Sequence, residues 1–447
     1  MIGGIPLREL VENEIIERAQ EGCIVPDYTE RLKDADSKEL LKIYDELMSL
    51  PIDAAFPFYE PDELYEILNE STGCRYKETP CEDGLFEKYY GAWLGRIIGC
   101  LIGKPIEIHP FGSGDGKLDG WKCIKRWQSG ADDEFPPVDY ISGNSRAKEK
   151  YGWNVYCEKS LRENIAFAES DDDIRYLVLG LLMNEKYGNN FTPNDVADMW
   201  HTYLPKNTVF TAEFAAMRNS FICELQDPKE QIEFCRRHHN PFREWIGAQI
   251  RVDHYGYYNA GDPLSAAKAA FNDASFSHTK NGVYGAMFFA ALIAAAFTEK
   301  DITKCVEIAL SVIPKKSRLY SDIVFTVNAA KKCRNPEKIY KKLCDRFRGM
   351  SSVHTNNNAC ACVAAIIMSG GDFLKAVSIA VGAGWDTDCN GATVGSFMGA
   401  LLGSGAIPEY LSSPLNDTLY SSVYGFHPAS IRECAKRSYE LAKMKNR

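Results

Sequence analysis

The residue types best suited to chemistry fall in two short acidic clusters. One is Asp386 and Asp388 within Gly384-Trp385-Asp386-Thr387-Asp388-Cys389-Asn390-Gly391, directly before a small-residue apolar run, Ala392 to Gly403. The other is Glu169-Ser170-Asp171-Asp172-Asp173, directly before the apolar run Ile174 to Met183. A carboxylate at a helix start has a common structural use, capping the free N–H groups. Three consecutive aspartates nevertheless repel one another unless a cation or hydrogen-bond donors lie among them. Two such clusters, each opening a helix, are what a two-metal site built from separate helices requires. The oxygen donors suit Mg²⁺ or Mn²⁺ rather than Zn²⁺.

The elements that must position these clusters carry their own pattern. Gly391, Gly395, Gly399 and Gly403 recur every four residues and so share one helix face. The run Glu87 to Gly103 repeats the stripe at Gly91, Gly95, Gly99 and Gly103. Glycine weakens a helix, so a stripe of it implies the close approach of another backbone. The two stripes are expected to pack on each other in the core. Pro105 stops the first helix, and Glu107 emerges at its end, where it faces either a cleft or solvent.

The rest of the chain reads as mostly helical. Expected helices are Leu7–Ala19, Ser37–Leu50 and Asp62–Asn69, then Ile174–Tyr187, one opening at Thr192-Pro193, Thr211–Cys223, Pro263–Ser275, Gly282–Phe297, Asp301–Ile313, Tyr320–Cys333, Asn358–Met368 and Ser378–Gly384. No strand–helix alternation and no Rossmann or P-loop glycine pattern appears, which argues against an α/β sheet. Residues 1–84 read as a separate helical extension and 85–447 as the main domain. Residues 108 to about 150 show little periodicity and read as a long loop. Polar-aromatic loops are expected around Trp245-Ile246-Gly247 to Arg251, His254 to Asp262, and Ser277-His278. Aromatics beside Arg and His suit a nucleoside or phosphate ligand, although a lone histidine such as His278 is more often a cap or core residue. His354 is expected to cap the helix that follows it.

Composition bounds the partners. The 447 residues are 45% hydrophobic and 25% charged, with net charge −10. Such a balance argues against a nucleic-acid binder. The longest apolar stretches are too short to span a membrane, and the start shows no signal-peptide pattern. Fifteen scattered cysteines, an odd number without paired CxxC motifs, read as reduced thiols in a cytoplasmic protein.

Over residues 87 to about 435 the chain resembles the ADP-ribosylglycohydrolase family, which includes the dinitrogenase-reductase-activating glycohydrolases and the ADP-ribosyl-acceptor hydrolases. Four motifs carry the resemblance, in order: Gly95, Gly99 and Gly103 running into Glu107; Ser170-Asp171-Asp172; Ser277-His278 before a small-residue helix; and Gly384-Trp385-Asp386-Thr387-Asp388-Cys389. The resemblance implies an all-α, orthogonal multi-helix fold. It also implies a binuclear Mg²⁺ centre with Ser170, Asp171, Asp172, Asp386 and Asp388 as ligands. By position it gives Glu107 a place near the ribose, His278 a ligand contact and Gly247 a place by the diphosphate-binding loop. Three positions depart from the pattern. Cys389 stands where many members have a Thr or Ser ligand, leaving Thr387 or water to complete the second metal. Trp245-Ile246-Gly247 replaces a Gly-Asn-Gly loop, and Cys100 replaces an Asp.

The expected activity is metal-dependent hydrolysis of the C1″ glycosidic bond of an ADP-ribosyl group on a protein or small molecule. Glu107, Asp172 and Asp386 are the candidate catalytic carboxylates, and Gly247, Arg251 and His278 the candidate substrate contacts. The alternatives are an N-ribohydrolase of a nucleoside or other small ribosyl substrate, and a silent ADP-ribose-binding module.

Overall fold

The two glycine stripes meet. In the computed structural model, which describes residues 5–445 and so leaves Met1–Gly4 outside, the helices Leu85–Gly103 and Thr387–Leu402 run antiparallel in backbone contact. A methyl added to Gly99 would stand 1.9 Å from the Gly391 carbonyl oxygen, and one on Gly95 2.3 Å from that of Gly395. One on Gly91 would lie 2.7 Å from Gly399 O, and one on Gly103 2.2 Å from Thr387 O. Only a residue without Cβ permits this approach. At the end of the seam the Thr387 hydroxyl donates to Gly103 O at 2.9 Å.

Around this pair the fold is all-α. The Lys280–Ala296 helix is buried along its whole length, and the helices Thr355–Ser369 and Phe373–Gly382 are largely buried beside the Thr387–Leu402 helix. Among the described residues the one sheet is the short antiparallel pair Thr418–Leu419 with Ala429–Ser430. No described helix is long and apolar enough to cross a membrane.

The N-terminal segment has a small core of its own, formed by Leu10, Val11, Tyr28, Leu40, Ile43, Tyr44 and Leu47. It is tied to the main body by buried charge. Arg243, fully buried, donates to both Glu14 oxygens at 2.8 and 3.0 Å and to Glu21 at 3.0 and 3.3 Å. Glu60 accepts from Arg318 at 2.7 Å, and Arg318 also reaches Glu244. Arg243 and Glu244 directly precede Trp245-Ile246-Gly247, so the extension grips the base of that loop.

Several expected loops are helical. Residues 108–150 contain the helices Gly120–Gly130 and Arg146–Tyr151. In the first, Trp121, Ile124, Trp127 and Gln128 form a buried face at helical spacing, which its basic outer face and terminal glycines obscure in sequence. The stretch 244–262 holds a 3₁₀ helix, Ile246–Arg251, and the helix Asp253–Tyr258. Helices Pro228–Arg237, Pro336–Arg346 and Ile431–Lys445 were not expected. The first two begin with Asp227 and Asn335 accepting backbone N–H groups ahead of a proline, a start signal legible in sequence. His354 caps the helix after it, its Nδ1 accepting from Asn356 N at 3.1 Å.

Two outcomes test this architecture. Gly99→Ala should lower stability by about 3 kcal/mol or more, because the neighbouring backbone cannot yield. Gly405→Ala, with open space around it, should stay within about 0.5 kcal/mol; urea unfolding reads both. Replacing Glu14 and Glu21 together with Gln should cost about 3–5 kcal/mol by leaving Arg243 buried without its carboxylates.

Candidate active site

The seam brings both acidic clusters to one end of the glycine helices. Gly384 and Trp385 adopt left-handed φ values of 80° and 62°, turning the chain sharply into the helix that Asp386 opens. A left-handed tryptophan is strained, and its N–H is held by Gly112 O at 3.1 Å. Asp386 stands at the capping position but its side chain caps nothing. This corrects the capping role open to it in sequence. Its backbone N–H goes instead to Asn358 Oδ1 at 3.2 Å, which also takes the Asn390 amide at 2.8 Å. Oδ1 of Asp386 and Oδ1 of Asp388 are both buried with no hydrogen-bond partner among the described residues.

The second cluster is balanced by cations from the first glycine helix and the turn after it. Arg96, fully buried, donates to Asp173 Oδ1 at 2.8 Å, to Asp173 O at 2.9 Å and to Asp253 Oδ2 at 2.7 Å. Lys104 donates to Ser170 O at 2.6 Å and lies 3.2 Å from Asp171 Oδ2. Asp171 caps its helix by accepting from Asp173 N at 3.0 Å. Burial pushes the Asp171 carboxyl up, but Lys104 and these donors outweigh it and hold it below the usual range. For Asp172, burial and then its neighbour Asp171 outweigh the opposing pull of Arg175 and push it up to about 7.

Donor atoms of Cys100, Asp171, Asp173 and Asp388 lie within 4.8 Å of one another, as do those of Asp386, Asp388 and Cys389. Asp388 therefore joins the two helix starts. Burial and then neighbouring carboxylates raise Asp386, Asp388 and both thiols well above their ordinary ranges. Neutral thiols are poor ligands for a hard cation, whereas orphaned carboxylate oxygens crowded together are good ones. The residues fit a hard divalent cation. The Thr387 hydroxyl donates its hydrogen to Gly103 O, which leaves its oxygen lone pairs free, and burial and then Asp173 hold the Cys389 thiol well above its usual range.

A cleft of about 140 Å³ opens over this centre. Glu107, Asp172, Asp386 and Gly247 all line it. Tyr156 OH donates to Glu107 Oε2 at 2.9 Å, and burial, then Asp386, Asp171 and Asp172, raise the Glu107 carboxyl well above its usual range. Asp171 and Asp388 belong to the acidic centre at its base, and Ser170 sits at the edge, its hydroxyl 3.4 Å from Arg175. Arg251 and His278 do not line the cleft. Arg251 is buried, bonded to Asp273 at 2.6 and 3.1 Å, to Ser277 at 3.0 Å and to Glu213. His278 is buried 3.9 Å from Glu213, with Nδ1 on Ser277 Oγ at 2.8 Å. Both approach the cleft from behind Glu213, which does line it.

Glu213 went unnoticed in the sequence because nothing local distinguishes a glutamate in a first helical turn. Arg96 and Lys104 had a signal: one arginine inside an otherwise apolar small-residue helix and one lysine just after it.

An all-α body gathering carboxylates from separate helix starts beneath one cleft defines a helical protein with a buried acidic centre. The chain belongs to the ADP-ribosylglycohydrolase family, whose model matches residues 82–446. Membership supports a hydrolase of glycosidic bonds. A solved structure entitled "ADP-ribosylglycohydrolase-related protein complex" is similar at TM-score 0.46 and 15% identity, covering 81% of this chain and 99% of that one. A comparison with curated proteins gave no match.

Mg²⁺ should raise the melting temperature, by the equivalent of about 2.7 kcal/mol at a hundredfold excess over Kd. Asp388→Asn should abolish that shift, yet melt no lower than wild type in EDTA, since it removes one of several repelling carboxylates. Calorimetric scans with and without EDTA check both signs.

Proposed function

We propose that this chain is a metal-dependent hydrolase of the C1″ glycosidic bond of an ADP-ribosyl or related ribosyl group. The observation that carries the reading is the pair of buried oxygens on Asp386 and Asp388 that have no hydrogen-bond partner among the described residues, with Asp388 in the same cluster as Asp171. Such groups are expensive to bury without a counter-charge. Ser170, Asp171, Asp172, Asp386 and Asp388 are the ligand set for two Mg²⁺ ions, with Mn²⁺ able to replace them. Bound there, the ions would grip ribose hydroxyls and stabilise developing negative charge.

The chain's own residues supply the rest. Arg96 and Lys104 fix the Asp171–Asp173 segment so that its carboxylates keep their aim. Glu107, held by Tyr156 in the same cleft, is placed to pass a proton between water and the leaving atom. The surrounding carboxylates stabilise oxocarbenium character at C1″. A substrate on a protein or on a small molecule is compatible with this centre, and so is a small nucleoside-like riboside. A silent binding module would not need all four aspartates of the ligand set.

Asp171→Ala and Asp386→Ala should each lower Mg²⁺-dependent ribosyl release by about a thousandfold or more. The assay is a panel of ADP-ribosylated and simple ribosyl substrates. Turnover retained in both variants would reject the site.

A further inference from the structure

The wall of the cleft narrows the substrate class. No Lys, Arg or His is among the described residues that line it. Beside Glu107, Asp172 and Asp386, the polar side chain of most consequence is the carboxylate of Glu213. That carboxylate lies directly on Gly247: a methyl added there would stand 2.1 Å from Glu213 Oε1. Gly247 therefore leaves room for an acid, in the loop where the family resemblance places a diphosphate. The guanidinium of Arg251 is buried behind Glu213 and taken up by Asp273, Ser277 and Glu213, and that of Arg175 is bonded to Thr208 O and Ser170 Oγ. The remaining wall is apolar and aromatic, with Trp245, Ile246 and a half-exposed Phe210.

A diphosphate is recognised by charge-assisted bonds from Arg, Lys or free backbone N–H groups. Here it would meet a carboxylate instead, at unfavourable Coulomb energy in a poorly solvated cleft. Aromatic and apolar surfaces beside a carboxylate suit a flat ring that stacks and offers an N–H or a positive charge. Glu213 has capacity for it: Oε1 takes Arg251, while Oε2 has only a 3.5 Å contact with the Thr211 hydroxyl.

We propose that the cleft takes an N-riboside without a diphosphate, whose base is an aromatic ring bearing an N–H donor or a positive charge, recognised by Glu213 between Phe210 and Trp245. The inference rests on the glycosidase reading above. Water adds at the anomeric carbon as its bond to nitrogen breaks and the bonding pair leaves with the nitrogen; a neutral base leaves as an anion and takes up the water proton, whereas a cationic ring is neutralised by the bonding pair alone and the water proton passes through Glu107 to solvent. Ribose and free base result, with no change of redox state.

The test uses the full chain with Mg²⁺ and four probes: adenosine, nicotinamide riboside, ADP-ribose and NAD⁺. Calorimetry reads affinity and a reducing-sugar assay reads ribose release. One of the two ribosides should bind at least about tenfold tighter than ADP-ribose and release ribose, while NAD⁺ is not turned over. Glu213→Gln should narrow that ratio by weakening the riboside and admitting ADP-ribose. The wild-type comparison stands if the variant does not fold. ADP-ribose binding as tightly as the ribosides, or NAD⁺ turnover, overturns the inference and leaves the glycosidase reading intact. No binding or turnover of any probe overturns both.

Discussion

Two backbones in contact set the geometry of this protein. Each interior glycine costs its helix about 1 kcal/mol relative to alanine, and the stripes repeat that cost at every turn of both helices. The return is a seam in which carbonyl oxygens stand where side chains would otherwise be. Because the seam is antiparallel, the end of one helix meets the start of the other. Gly103 is set against Thr387, and so Lys104 and Glu107 come to the same place as Asp386 and Asp388. A site made from residues nearly three hundred positions apart in sequence is thereby held as if it were one turn.

Charge follows from that placement. The glycine helix carries Arg96 and is followed by Lys104, and these two neutralise much of the Asp171–Asp173 cluster. Among the described residues nothing comparable serves Asp386 and Asp388, whose Oδ1 atoms are buried without a hydrogen-bond partner. The asymmetry matters: one half of the acidic centre is already compensated by protein cations, whereas burial and neighbouring carboxylates raise Asp386 and Asp388 well above their usual range. Left-handed backbone at Thr211, in the cleft wall, and at Trp385, directly before Asp386, is where such strain tends to be tolerated.

What could be read from sequence divides along a physical line. The glycine seam was legible because both stripes have a period of four and glycine has few other uses in a helix. The all-α class followed from helical periodicity, and the acidic helix starts from their proximity to apolar runs. Tertiary competition was not legible. Asn358 accepts the backbone N–H of Asp386 itself while the Asp386 side chain caps nothing, and Asp273 and Glu213 occupy the guanidinium of Arg251. A side chain's position in sequence fixes its element, but its partner is chosen by packing. The Gly120–Gly130 helix was missed for a different reason, since its buried face is interleaved with lysines and an arginine.

The extension that precedes the family match has a further consequence. Arg243 lies inside the matched region, but the carboxylates that make it tolerable to bury, Glu14 and Glu21, lie outside it. The same holds for Arg318, half of whose counter-charge is Glu60. The matched region is therefore not an electrically self-sufficient module. Transplanting its Trp245 loop into a relative without the extension would carry over the cations and leave their acids behind. The shape of that loop and the first eighty residues therefore stand or fall together in this chain.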